Sequence, residues 1–284
     1  MRDRIDSALE HVTEARVVSA RPLGGGCVAD VSLVRLDDDT RLVAKCDSSG
    51  GLAIEAWMLG YLNDRSSLPV PAVLFESDDI LLLEYVENDG AGIGDGAQVH
   101  AARLLADLHS VHGEAFGLER DTVIGGLHQP NPSSASWREF FVQQRLLLMG
   151  GRARDEGALP TGCYERIERL CARIDRWIEE PAHPSLIHGD MWGGNVLASD
   201  DHITGFVDPA IYYADPEIEL AFSTLFSTFG AAFFDSYREL RPLDPDFFEV
   251  RMPIYNLYPL LVHAVLFGPG YGRTVNTTLE RFVG

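Results

Sequence analysis

Leu186–Leu197 reads LIHGDMWGGNVL, and the order of its polar residues decides what the rest of the chain must supply. His188, Gly189, Asp190 and Asn195 form H-G-D-x-x-x-x-N, a carboxylate and a carboxamide on a glycine-bearing loop between two apolar runs. An aspartate so placed can take the proton of an attacking hydroxyl, and a nearby asparagine oxygen can bind a hard divalent cation such as Mg²⁺. H-G-D alone also describes a turn whose aspartate caps a neighbouring helix. Asp208 separates the two readings. It follows ITGFV, a strand-like run, so a second carboxylate stands at a strand end and can share the cation with Asn195. His188 reads as a brace for the loop.

A loop of this kind that transfers a phosphoryl group also needs a cover for the phosphates and a cation facing them. Leu23–Val31, LGGGCVADV, lies between two β-branched runs. The backbone N–H groups of Gly24, Gly25 and Gly26 can approach phosphate without side-chain interference, although three glycines equally suit a plain hairpin. Cys27 sits among them and reads as an inert thiol. LVAKC places Lys45 late in the third strand, and Glu55 follows in a segment of helical periodicity, where it can pair with the lysine and hold it. Alone, either would be an ordinary surface residue. In this order, after a glycine loop, they match the parts of a phosphoryl-transfer site. LLLEYVEN then leads out of the sheet, and the backbone of Glu84 and Val86 is expected to read an adenine edge; the same run is also simply a buried strand.

Around these motifs the chain divides in two. Residues 15–46 read as three antiparallel strands, 52–63 as a helix and 71–86 as two more strands, up to the glycine-rich ENDGAGIGDG. A lobe of residues 1–88 is expected to bind the nucleotide and one of residues 89–284, mainly helical, to carry the catalytic loop. Helices are expected over 98–112, 134–149, 162–180 and 216–240 from their apolar spacing. Lys and Arg number 23 against 43 Asp and Glu, a formal charge of −20 that disfavours nucleic acid and anionic lipid and favours cationic partners. Cys27, Cys46, Cys163 and Cys171 offer neither a C-x-x-C pair nor a dense disulfide spacing, which suits reduced thiols in a cytoplasm. The charged MRDRIDSALEHV is no signal peptide, and LYPLLVHAVLFG reads as too short to span a bilayer, so no membrane partner is expected.

Assembled, these residues resemble the protein-kinase-like superfamily in its small-molecule branch, and more narrowly the fructosamine kinase (ketosamine-3-kinase) family. HGDMWGGNV is similar to the family's H-G-D-L-W-x-G-N, and VDPAIYYADPEIELAF to its D-P-A-x-Y-Y-G-x-x-E-x-D-x-A. GGLHQPNPSSASWREFFVQQRL and LFGPGYG extend the likeness, which runs from about Leu23 to Tyr271. The resemblance implies an α+β two-lobed fold and ATP- and Mg²⁺-dependent phosphorylation of the sugar O3 of a ketosamine, which amounts to deglycation. It implies Asp190 as base, Asn195 and Asp208 on metal, Lys45 and Glu55 on ATP, and Trp192 beside the sugar. Asp215, in the YYADPE loop, is expected at the acceptor pocket. The chain departs from the pattern at Met191 for leucine, Glu219 for aspartate and Ala214 for glycine. Any bonds that brace the catalytic loop from position 219 must therefore be made by a longer arm. An aminoglycoside or amino-alcohol phosphotransferase is the competing enzyme reading, against which D-P-A and H-G-D-M-W speak. A catalytically inactive binding module is the other, against which the intact Lys45, Asp190, Asn195 and Asp208 speak. The sequence leaves oligomeric state open, with a monomer the simpler expectation.

Overall fold

A computed structural model describes residues 2–24, 29–47 and 51–284. Gly25, Gly26 and Cys27, singled out above, lie outside the described residues. The N-terminal lobe runs α1 (Arg2–Leu9), β1 (Val17–Pro22), β2 (Asp30–Leu36), β3 (Arg41–Cys46), α2 (Leu52–Arg65), β4 (Val73–Glu76) and β5 (Ile80–Glu84). Its strands form one antiparallel sheet in the order β1-β2-β3-β5-β4.

Alternation along β3 sorts the residues between two faces. Leu42, Ala44 and Cys46 pack with Ile5, Ala8 and Leu9 of α1, while Val43 packs on the other face with Leu52, Ala56 and Leu59 of α2. The same period puts Lys45 on the α2 face, where Glu55 stands one helical turn into α2. The charge pattern of residues 1–12 does not announce α1; it forms because Ile5, Ala8 and Leu9 cover an otherwise bare sheet face.

The C-terminal lobe begins with α3 (Asp95–Leu108), so the boundary expected near residue 88 falls in the connector after β5. There follow β6 (Thr122–Ile124), β7 (Leu127–Gln129), α4 (Trp137–Phe140), α5 (Leu148–Asp155), α6 (Cys163–Cys171), β8 (Ser185–Ile187), β9 (Val196–Ser199), β10 (His202–Phe206) and β11 (Tyr212–Ala214). The chain ends in α7 (Glu217–Leu225), α8 (Ala231–Leu240), α9 (Met252–Tyr255), α10 (Leu257–Phe267) and α11 (Pro269–Val283). A single large core joins these helices and reaches into α2 through Met58, Tyr61 and Leu62.

Four expectations change. The helix expected over 216–240 is two, α7 and α8, parted at residues 226–230. The helix expected over 162–180 stops at Cys171; Ile174 and Ile178 are still buried, but through a tight 3₁₀ turn over Ile174–Arg176. The helix expected over 134–149 is interrupted by a π-helical stretch, Phe141–Leu147, and continues to Asp155. The apolar stretch near the C-terminus is longer than the window 257–268 suggests. The helical segment Phe247–Phe267 is long and apolar enough by length and composition to cross a membrane. Its most apolar window is 61% buried inside the protein, and Arg251 within it is ion-paired to Asp215, Glu217 and Asp244, so it serves here as a core helix.

Candidate active site

The catalytic loop is suspended between two short ladders. β8 pairs with β11 and β9 with β10, so residues 188–195 and 207–211 are brought side by side at one end of both. Gly189 has φ 88°, and a Cβ there would sit 2.1 Å from the Ala210 carbonyl oxygen; only glycine allows the two segments to touch. Across that contact the Ala210 N–H donates to the His188 carbonyl at 2.7 Å, and the Val207 N–H to the Asn195 carbonyl at 3.0 Å.

Glu219 braces this loop with its longer arm. The Gly189 N–H donates to Oε1 at 2.7 Å, and Oε2 lies 2.7 Å from His109 Nε2. His109 Nε2–H thus donates to the carboxylate, and its Nδ1 lies 2.7 Å from the Tyr237 hydroxyl. Both His109 and Glu219 are fully buried at the side chain. The chain of bonds ties α3 and α8 to the catalytic loop, and neither His109 nor Tyr237 carries a sequence signal for that role.

Asp190 stands at the base of the cleft. The Asn195 side-chain amide donates to the Asp190 carbonyl and to its Oδ2, each at 2.9 Å, which fixes the carboxylate and leaves the asparagine oxygen as its free end. Burial pushes the Asp190 carboxyl up to about 7, with Asp208 and Glu219 adding to the effect and Asn195 opposing it. Asp208 sits just past β10 with φ 55°, a left-handed conformation that turns it from the strand toward Lys45. Lys45 Nζ bonds Glu55 at 2.5 Å and contacts Asp208. Burial pulls the Lys45 ammonium down, but the two carboxylates outweigh it and hold its pKa above the ordinary lysine value.

These residues share one cleft of about 230 Å³. Its nucleotide side includes Ala29, Val31, Lys45 and Glu55; its floor is Asp190, Asn195 and Asp208; its far wall is Trp192, Phe222, His263 and Phe267. Trp192 is half-buried, faces Phe226 edge-on at 6.2 Å, and lies over Gly194, where a Cβ would be 2.3 Å from the ring. The β6–β7 hairpin forms one lip. Its two turn residues, Gly125 and Gly126, have φ 53° and 78°, the pairing that a two-residue hairpin with type I′ twist requires.

The segment after that hairpin is a second brace. Gln129 donates to the Ala210 carbonyl at 3.1 Å and to Thr122 at 2.8 Å, and accepts from Tyr258 at 2.7 Å. Arg145 donates to Asn131 at 2.6 Å and lies 4.1 Å over the Tyr212 ring. Gln129 therefore holds the D-P-A segment directly, while Asn131 and Arg145, buried beside it, hold Thr122 and the Tyr212 ring.

Four of the expected site residues do not line this cleft. Asp215 is buried behind β11, where its Oδ2 accepts from Arg251 at 3.0 Å and Tyr255 at 2.7 Å and its Oδ1 from the Glu217 N–H at 2.9 Å. It faces a second, polar cavity and not the acceptor cleft, because the preceding ladder turns the chain to its opposite end. The Glu84 N–H is taken by the Ala72 carbonyl at 2.9 Å, and Val86 packs against Gly205. Glu84 ends β5 and Val86 lies on the connector; neither lines the cleft, nor does the exposed Gly24 just past β1.

A small antiparallel sheet with a clamped lysine, above a helical lobe whose loop carries aspartate and asparagine, defines a protein-kinase-like phosphotransferase, and such enzymes use ATP. The fructosamine kinase family profile matches residues 1–284. The chain belongs to the fructosamine kinase family. It is 31% identical over 279 residues to "Probable ketoamine kinase slr1563" of Synechocystis, covering 94% of this chain and 90% of that one. It is 29% identical over 282 residues to the chloroplastic protein-ribulosamine 3-kinase of Oryza sativa subsp. indica, covering 94% and 80%. The solved structure of a fructosamine-3-kinase relative from Thermobifida fusca superposes with a TM-score of 0.87 at 31% identity, over 97% of each chain. An aminoglycoside phosphotransferase solved with gentamicin, APH(2")-IIa, shares the fold at 15% identity, with a TM-score of 0.67 over 98% of this chain and 94% of that one.

Proposed function

We propose that this enzyme transfers the γ-phosphoryl group of ATP to the O3 hydroxyl of the sugar in ketosamines. The observation that carries the reading is the shared loop: Asp190, the base, and Trp192, an aromatic face suited to a sugar ring, open into one cleft with Lys45 and Asp208. As the bond from O3 to phosphorus forms and the bond to the bridging oxygen of ADP breaks, Asp190 accepts the hydroxyl proton. A carboxyl poised near 7 takes up a proton readily yet remains partly ionised at neutral pH. Lys45, held by Glu55, supplies the fixed positive charge for the phosphate oxygens.

The donor set also fits Mg²⁺. Asp208 offers a carboxylate and Asn195 an amide oxygen whose nitrogen is already committed to Asp190. No group of three or more His, Cys, Asp or Glu suited to a metal occurs among the described residues, so these two hard oxygens suit a cation held otherwise by phosphate and water. When bound, Mg²⁺ neutralises charge on the transferred phosphate. ATP consumption measured with ribulosyl-lysine, fructosyl-lysine, an aminoglycoside and choline, and NMR location of the new phosphate, tests the reading. Turnover confined to the ketosamines with phosphate on O3 is expected. Faster turnover of the aminoglycoside or choline would overturn it.

A further inference from the structure

The chain carries 22 arginines and a single lysine, Lys45. Folding explains only some of those arginines. Arg145 and Arg251 use the planar fork of the guanidinium in buried bonds that an ammonium could not reproduce. Arg35, Arg154 and Arg238 instead make exposed pairs with Asp39, Asp155 and Asp235, and the last two also lie over the Tyr164 and Phe248 rings; both kinds of surface contact are open to a lysine as well.

The two cations differ in one respect that matters to an enzyme acting on sugar-modified amines. A neutral primary amine adds to the aldehyde carbon of an open-chain aldose, and water leaves as the imine forms. The hydrogen on sugar C2 then moves to C1 and the C2 hydroxyl proton to nitrogen, giving a ketosamine without any oxidant. Arginine stays protonated and does not enter this sequence under ordinary conditions. Lys45 is 6% exposed, with its nitrogen bonded to Glu55 and in contact with Asp208.

We propose that the folded enzyme resists the modification whose products it repairs: with arginine on the surface and Lys45 clamped in the cleft, no side-chain amine is open to an aldose. One copy then presents no side-chain ketosamine to the cleft of another. The biological sense of this rests on the ketosamine reading above, but the chemistry does not.

The test is incubation of the whole protein with D-ribose at neutral pH, followed by intact-mass measurement and peptide mapping. In the folded protein Lys45 should stay unmodified, any adduct being confined to the peptide with the α-amino group, and in urea Lys45 should be modified. A triple variant, Arg35→Lys, Arg154→Lys and Arg238→Lys, should gain adducts at its three new lysines. If Lys45 in folded wild-type protein were modified as fast as those lysines, or if the variant gained none, the inference would be overturned. Adding wild-type enzyme and ATP to the modified variant keeps the two ideas apart. Persistence of the adducts would count against the ketosamine reading while leaving the resistance of the parent protein standing.

Discussion

Asp190→Asn separates catalysis from stability in opposite directions. The carboxyl rises from an ordinary 3.8 to about 7, chiefly because burial penalises its charged form. Above pH 7 the folded protein therefore holds an anion that the unfolded chain would solvate freely. The sign follows from that rise: the folded form is favoured while the group is protonated below its unfolded value, and this contribution is lost as pH climbs through the folded value. At about 1.4 kcal/mol per tenfold change in proton affinity the full penalty would be somewhat over 4 kcal/mol. Asp190 is only partly buried and keeps its bond from Asn195, so about 2 kcal/mol is the reasonable size. In a chain of this length that is a rise in Tm of about 4–8 °C. The Asp190→Asn variant should thus melt higher than wild type at pH 8 and show little gain at pH 4.5, by calorimetry in matched buffers. Its kcat should fall at least about 10²-fold, because the proton acceptor is gone. A variant no more stable at pH 8, or one keeping more than about a tenth of kcat, would refute the reasoning.

Trp192→Ala should raise KM for the ketosamine while leaving that for ATP nearly unchanged, through loss of a contact worth about 0.5–2 kcal/mol to a cationic amine; a severe drop in Tm with both KM values raised alike would make it a packing residue. Asn195→Ala and Asp208→Ala should each raise the Mg²⁺ concentration needed for half-maximal activity, read by titration, and an unchanged requirement in both would remove them from the metal site. Asp215→Asn should cost about 3 kcal/mol by disturbing the buried pair with Arg251, with acceptor KM unaltered; a raised acceptor KM at unchanged Tm would return Asp215 to the acceptor pocket. Glu219→Asp, although it restores the family's usual residue, should lower Tm and kcat together, since a shorter arm cannot meet both Gly189 and His109 and one buried charged bond is worth about 1.5–3 kcal/mol. Wild-type Tm and kcat in that variant would show that the long arm has no role.

The parts legible in the sequence are those fixed by local rules. Alternation along LVAKC sends Lys45 to the face of the sheet that α2 covers, and an i, i+3, i+4 pattern raises α2 with Glu55 in its first turn, so the lysine and glutamate meet without knowledge of the rest. Gly189 and Asp190 are legible through the H-G-D motif, whereas the reason only glycine fits at 189, the approach to Ala210, shows only in the fold. Gly125–Gly126 also carried a usable signal, two glycines between TVI and LHQ, and it marks the hairpin at the lip of the cleft. Illegible were the places where side chains from distant segments converge. Asp215 stands two residues beyond Tyr213, close in sequence to the D-P-A segment, yet one short ladder carries it to the opposite end from Asp208. Sequence distance says nothing about which end of a ladder a residue reaches.

Convergence of distant side chains is also what accommodates the departure at Glu219. A buried carboxylate needs its lone pairs filled, and an extra methylene moves both oxygens relative to an aspartate at the same backbone position. Here one oxygen meets the Gly189 N–H and the other meets His109, whose remaining nitrogen is filled by Tyr237. The glutamate is therefore one member of a three-residue set, with its partners 110 residues back in the chain and on the helix that follows. Replacing His109 with alanine should leave a buried oxygen of Glu219 unpaired and loosen the Gly189 bond it shares a carboxylate with, so the catalytic loop would be disturbed from α3, none of whose residues lines the cleft. Glu219→Gln combined with that change should recover part of the lost Tm, because a neutral amide costs less to bury short of partners than a carboxylate does. If the double variant melted no higher than His109→Ala alone, the carboxylate would not be what His109 satisfies.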